Sequence, residues 1–224
     1  TGSGKSTTIA SVIEYINRNR ACHILTVEDP IEFLFEDKRA LINQRQVGQD
    51  TAGFAQALRQ GLRQDPDVIL FGEIRDHDTL STAIHAAETG HLVLGTLHTA
   101  DAYETVTRVL SLSPPESRGL IRTQLSSCLQ AVVCQRLLKR IDGGRIPAVE
   151  VLVQTEFVRE LIADAERTVE IPMAIAQGEA YGMQTFDDSL YQLAQRGLVQ
   201  RSEALKVATR PGDLRMRFDG FSSD

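Results

Sequence analysis

The sequence predicts an α/β fold, with a mainly parallel sheet in residues 1–155 and a small helical C-terminal subdomain in 156–210. The first observation is a set of apolar runs of strand length: His23-Ile24-Leu25-Thr26-Val27, Val68-Ile69-Leu70-Phe71 and His91 to Thr99. They lack polar alternation, as strands buried on both sheet faces do. The second is that stretches of helical periodicity lie between them. The third is a change of character at Thr155, after which the strand signals stop and short amphipathic segments remain.

The elements follow in order. From Ser6, the spacing of Ile9, Val12, Ile13 and Ile16 marks one helix face, and Asn19 ends it. The run from His23 is the first strand, and Leu41 to Val47 reads as a short edge strand. Asp50 or Thr51 is placed to cap a helix with Phe54, Leu58 and Leu62 inward and Arg59 and Arg63 on the exposed face. Asp65-Pro66-Asp67 breaks it before the second buried strand. A helix over Asp78–Glu88 buries Leu80, Ile84 and Ala87 and stops at Gly90; a third buried strand runs from His91 to Thr99. A helix over Ala102–Leu112 carries Arg108. Ser113-Pro114-Pro115-Glu116 has capping-box spacing and opens a helix through Leu120, Leu125 and Leu129. Ala131–Leu138 and Ala148–Val153 are strands joined at Asp142-Gly143-Gly144. Helices over Phe157–Ala163, Val169–Ala176, Thr185–Gln195 and Ser202–Val207 make the tail, and 211–224 is expected to fray.

Composition sets the outer limits. At 224 residues and 42% hydrophobic, the chain can bury one sizeable core and a small second unit. A net charge of -6 argues against a broad nucleic-acid-binding face. No apolar run approaches the roughly 18 residues of a membrane helix. Cys22, Cys128 and Cys134 form no C-x-x-C pair and read as reduced, buried thiols of a cytoplasmic protein.

The chemistry starts at Thr1-Gly2-Ser3-Gly4-Lys5-Ser6-Thr7, which matches the closing part of a phosphate-binding loop, G-x-x-x-x-G-K-[ST]. Glycines let the backbone curl so that N–H groups face an anion, Lys5 supplies a positive charge, and the Ser6 hydroxyl suits Mg²⁺. The motif's first glycine would precede Thr1, so the chain is expected to begin inside this loop and to be inactive by itself. At the far end of the first strand stands the acidic stretch Glu28-Asp29-Pro30-Ile31-Glu32-Phe33, where open parallel sheets bind ligands. The second strand ends in Gly72-Glu73-Ile74-Arg75-Asp76, so Glu73 sits where a base could orient and deprotonate a water. Gly72 occupies the position where many such loops' partners carry Asp. His98 lies toward the same sheet edge; His23, His77 and His85 read as satisfied polar groups.

Four blocks then carry a resemblance: TGSGKSTT at 1–8, EDPIEF at 28–33, GEIRD at 72–76 and TGHLVLGTLHTADA at 89–102. The chain resembles the motor part of the type IV pilus and type II secretion ATPases, and most of all their pilus-retraction (twitching-motility) branch. The resemblance implies a RecA-like core working as a hexameric ring with ATP and Mg²⁺ between subunits. It assigns Lys5 and Ser6 to phosphate and Mg²⁺, Glu28 to metal and water support, Glu73 to catalysis, and His91 and His98 to a histidine box. Arg75 and Arg108 become interface or sensor residues. It implies an inner-membrane pilus platform protein and a paralogous retraction ATPase as partners, no nucleic acid, and a cytoplasmic position at the pilus base. Secretion and assembly members carry a four-cysteine zinc module for which this chain lacks cysteines, which favours retraction. In the stretch Phe157 to Asp164, the retraction branch's tail motif is matched at Arg159, Leu161 and Ile162 but departs at Ala163 and Asp164, which keeps an accessory retraction paralogue open. A non-motor ATP-binding regulatory module and a small-molecule kinase are the readings from other classes.

Overall fold

The protein, represented by a computed structural model, is described for residues 2–221 and divides into two compact units. One takes in Lys5–His98 and Thr107–Cys128. Its centre is a four-stranded parallel sheet in the order β2-β1-β3-β4, made of β1 (His23–Glu28), β2 (Leu41–Gln46), β3 (Val68–Phe71) and β4 (Leu92–Gly95). Helices α1 (Lys5–Asn19), α2 (Phe54–Gly61) and α3 (His77–Glu88) cover it. The α/β expectation and the parallel sheet hold.

The unbroken apolar runs have a direct cause. Successive side chains of a strand point to opposite faces. Leu25, Val27, Ile69 and Phe71 pack with Ala57, Leu58, Ala83 and Ala86 on one face. Ile24, Val68 and Leu70 pack with Ile13 and Ile16 on the other. All four side chains of β3 are buried, so neither face can afford polar alternation. Helix α2 comes so near β1 that a Cβ on Gly61 would stand 2.2 Å from Leu25 Cδ2.

Several expectations in this unit need correction. Val12 is 38% exposed, because Ile13, Ile16 and Asn17 form the buried face of α1, with Ile9 partly buried beside them. The N-cap of α2 is Gly53, without a side-chain cap; Asp50 instead accepts from the backbone N–H of Gln46 at 2.8 Å, and Thr51 donates to Gly53 O. Leu62 falls in a separate 3-10 turn, Leu62–Gln64. In α3, capped by Asp76, Ala83 and Ala86 are the buried alanines rather than Ala87. The third strand is four residues long and not buried: β4 pairs with β3 on one side, and Leu92 is 38% exposed. The capping box at Ser113 is absent, since Ser113 Oγ bonds His77 Nδ1 at 3.2 Å and a 3-10 turn, Pro115–Ser117, intervenes. That turn rotates α5 (Arg118–Cys128) so that Ile121 and Leu125 face inward and Leu120 stands 63% exposed.

The second unit takes in the residues before Lys5, Thr99–Val106 and everything from Leu129. Its sheet is an antiparallel hairpin, β5 (Ala131–Lys139) with β6 (Arg145–Val153), closed at Gly143 and Gly144, whose φ of 97° and 76° require glycine. Helices α6 (Glu156–Ala163), α7 (Ile171–Gln177), α8 (Phe186–Gln195), α9 (Arg201–Val207) and α10 (Pro211–Phe218) accompany it, α8 opening with a Thr185–Asp188 capping box. The hairpin therefore groups with the tail helices rather than with the parallel sheet. The expected fray of 211–224 is corrected over Pro211–Phe218, while 222–224 lie outside the described residues. Proline suits a first helical turn, Leu214 and Phe218 of α10 are buried, and Phe218 stacks on Tyr191 at 5.5 Å. Helix α4 (Ala102–Ser111) completes the set.

Candidate functional site

Gly2 and Gly4 adopt φ of 80° and 92°, the left-handed region that glycine enters without strain. Helix α1 starts at Lys5 and carries no acid in its first turn, so its own side chains do not neutralise the positive end of its dipole. Ser6 Oγ donates to Glu32 Oε1 at 3.1 Å. Thr7 is exposed and Ser3 half-buried, while Thr1 lies outside the described residues.

Around Lys5 the parallel strands deliver their ends. Lys5 Nζ lies 3.3 Å from His98 Nδ1, and His98 Nε2 lies 3.3 Å from Glu73 Oε1. An ammonium has only hydrogens to give. Nδ1 therefore accepts, and the ring proton sits on Nε2, from which it is donated to Glu73. The other carboxylate oxygen, Oε2, takes the Arg75 guanidinium at 2.7 Å, and Arg75 reaches Asp29 at 3.9 Å. Arg75 is the chief reason the Glu73 carboxyl is held below the usual carboxylate range; burial opposes the shift and His98 adds to it.

The backbone under Glu73 is pinned on both sides. Gly72 N–H donates to Val27 O at 2.8 Å, Ile74 N–H donates to Thr96 O at 3.0 Å, and the Thr96 hydroxyl donates to Gly72 O. Gly72 itself is explained by crowding: a Cβ there would stand 3.1 Å from Glu28 Cα and 3.3 Å from Val27 O. An aspartate at that position would require β1 and β3 to part.

The remaining expected residues are placed as follows. Glu28 Oε1 accepts from Thr26 Oγ1 at 2.7 Å and Gln44 Nε2 at 3.3 Å, so its carboxylate is engaged within its own sheet. Glu32, not Glu28, receives the Ser6 hydroxyl. Sequence reasoning passed over Glu32 and Asp29 as individual site residues; the available signal was their presence in the same acidic stretch as Glu28. His91 sits at the opposite end of β4 from His98, its Nδ1 2.8 Å from Ala86 O and 3.1 Å from Thr89 Oγ1, closing the C-terminus of α3. Arg108 stands exposed in the last turn of α4. Cys22, Cys128 and Cys134 form no disulfide, and only Cys134 is buried; Cys22 and Cys128 are half-buried rather than buried as expected. Burial pushes the Cys134 thiol up to about 11 and raises Cys22 and Cys128 too, so none is an activated nucleophile.

The donor set can be tested against Mg²⁺. The Ser6 hydroxyl and the Glu32 carboxylate are hard oxygens, and Mg²⁺ is held by one or two such groups while keeping waters and phosphate oxygens. Those residues fit it. Among the described residues no group of three or more His, Cys, Asp and Glu could hold a metal ion by itself, and no helix is long and apolar enough to cross a membrane.

A family profile described as "Type II/IV secretion system protein" matches residues 1–144. The chain is similar to "Type IV pilus retractation ATPase PilT" of Pseudomonas aeruginosa, 48% identical over 94% of this chain and 61% of that protein. It is also similar to "Type IV pilus ATPase PilU" of the same organism, 41% identical over 100% of this chain and 59% of that protein. Among solved structures it resembles "Crystal Structure of the Pilus Retraction Motor PilT and Bound ADP", with a TM-score of 0.85 and 45% identity over 96% of this chain and 60% of that one. The chain thus spans about three fifths of the length of these relatives. With a profile covering more than half of its residues and a matching fold, the chain belongs to the type II/IV secretion system protein family.

Proposed function

We propose that this chain is the motor portion of an ATP-hydrolysing hexameric ATPase that powers type IV pilus retraction. It would work at the cytoplasmic face of the pilus base, against an inner-membrane platform protein and alongside a paralogous ATPase. The observation that carries this reading is the continuous contact from Lys5 through His98 to Glu73. It joins a phosphate-binding charge at a helix N-terminus to a carboxylate at the tip of a buried strand, which is what phosphoryl transfer to water requires.

The geometry supports the following roles. Lys5 and the start of α1 face the phosphates. Glu73 orients a water and takes its proton as the water oxygen attacks the terminal phosphorus and the P–O bond to the diphosphate breaks. His98, neutral and protonated on Nε2, steadies Glu73. Ser6 and Glu32 would hold Mg²⁺, with Glu28 behind them at the end of β1. Bound there, the metal supplies charge neutralisation for the phosphate oxygens. An accessory retraction ATPase is the second reading, supported by the 41% identity to PilU across the whole chain.

Steady-state hydrolysis and nucleotide titration decide the roles. In the full-length protein, Glu73→Gln is expected to keep ATP binding and lose turnover, whereas Lys5→Ala damages binding itself. Glu28→Gln is the control: a bind-but-not-cut phenotype there, with near-normal turnover in Glu73→Gln, ends the assignment.

A further inference from the structure

The Arg75 guanidinium lies between two carboxylates, 2.7 Å from Glu73 and 3.9 Å from Asp29. The two acids differ in freedom. The Glu73 backbone is fastened to the end of β1 and to Thr96, and its side chain is only 20% exposed. Arg75 is 59% exposed and Asp29 47%. A long, solvated guanidinium beside a fixed acid moves more cheaply than the acid does.

The contact also has a chemical consequence. With Arg75 on Oε2 and His98 on Oε1, both oxygens of Glu73 are engaged by donors. A carboxylate paired to arginine is a poorer proton acceptor than a free one. The groups facing Glu73 are thus Arg75 and His98, with Asp29 and Lys5 behind them.

We propose that Arg75 is a positioning residue that holds Glu73 ion-paired in the nucleotide-free site and releases it, on nucleotide binding, by shifting toward Asp29 and the terminal phosphate. This rests on the reading of the site as one for ATP hydrolysis and adds the regulation of its base. The terminal phosphate is the stronger anion and attracts the guanidinium. Asp29, 3.9 Å from the guanidinium, offers a second resting place, so release needs no rearrangement of the strand. Lys5 turning to the phosphates frees His98 Nδ1 at the same moment, which couples both donors of Glu73 to nucleotide occupancy.

The test reads the Glu73 carboxylate directly, by carbon-detected NMR pH titration of the full chain. Without nucleotide, Arg75→Gln is expected to raise the Glu73 midpoint by about one pH unit, and Arg75→Lys to restore most of the depression. An unchanged midpoint in Arg75→Gln overturns the ion-paired resting state. A non-hydrolysable ATP analogue with Mg²⁺ is then expected to remove most of the difference between wild type and Arg75→Gln. In Asp29→Asn that difference should persist to a larger extent, because one resting place is gone. A difference that the analogue leaves intact in the wild type overturns the release. Failure of the functional reading is recognised separately: the analogue does not bind, which removes the release with it, while the nucleotide-free titration still judges the resting pair.

Discussion

The two ends of the parallel sheet use the same residue type in opposite ways. At the N-terminal end, His23 bonds Gln64 O at 3.1 Å and the Asn43 side chain at 2.8 Å, and its backbone N–H is held by Asp67 at 2.8 Å. His91 there bonds Ala86 O in the last turn of α3. At the C-terminal end, both contacts of His98 are to ionic side chains, Lys5 and Glu73. A histidine bonded to backbone completes a structure, since breaking that bond orphans a main-chain group. One bonded to charged side chains can exchange partners when a ligand brings new charge. The chemistry proposed for this unit is concentrated where the polar groups can change partners.

That contrast can be broken at graded cost. The largest effect belongs to Glu73→Gln: in the full-length protein turnover should fall about 10²–10⁴-fold, with only a small drop in the denaturant midpoint, because Gln keeps the shape of the side chain and loses only the charge that pairs with Arg75. Next is His98→Gln, which removes a hydrogen bond to a charged group. ATP hydrolysis should drop roughly 10–100-fold, again without a stability change by urea unfolding. At the other end the pattern should reverse. His23→Ala loses two hydrogen bonds and should cost about 1–2 kcal/mol of stability, with kcat per folded molecule unchanged. If His23→Ala lowers kcat and His98→Gln lowers stability, the division between the two ends fails.

The smallest effect is a pH dependence on α1. The pairing of Glu14 with Lys38 first and Arg18 second lowers its carboxyl from 4.5 to about 2. A depressed folded-state value means that this contribution is present above the unfolded value and is lost as pH falls through about 2. Wild type and Glu14→Gln should therefore converge in stability on acidification from about pH 4.5 to about pH 2, as followed by circular dichroism. The shift belongs to a side chain that is still partly open to solvent, so salt should shrink it.

Much of this was legible in the residues. Val68 to Phe71 could only be a strand buried on both faces, and it is. The Gly-Lys-Ser turn opens α1 because glycine permits the loop and the following apolar spacing enforces the helix. Leu120 and Ser113 went the other way, since a 3-10 turn reset the helical phase and a distant histidine took the hydroxyl. Phase and hydrogen-bond partner depend on neighbours far along the chain, which local spacing does not encode.

The same reason divides the site. Local sequence determined which side chains arrive at strand tips and helix starts: Lys5, Ser6, Glu28, Glu73 and His98, each set by a motif a few residues long. Only the tertiary structure decided what they touch. It gave the Ser6 hydroxyl to Glu32 across 26 positions, tied Glu28 into its own sheet, linked Lys5 to His98 across 93, and set Arg75 between Glu73 and Asp29. Side-chain pairing is a matter of distances of a few ångströms, and those are set by how the strands register and how closely β1 approaches β3 at Gly72.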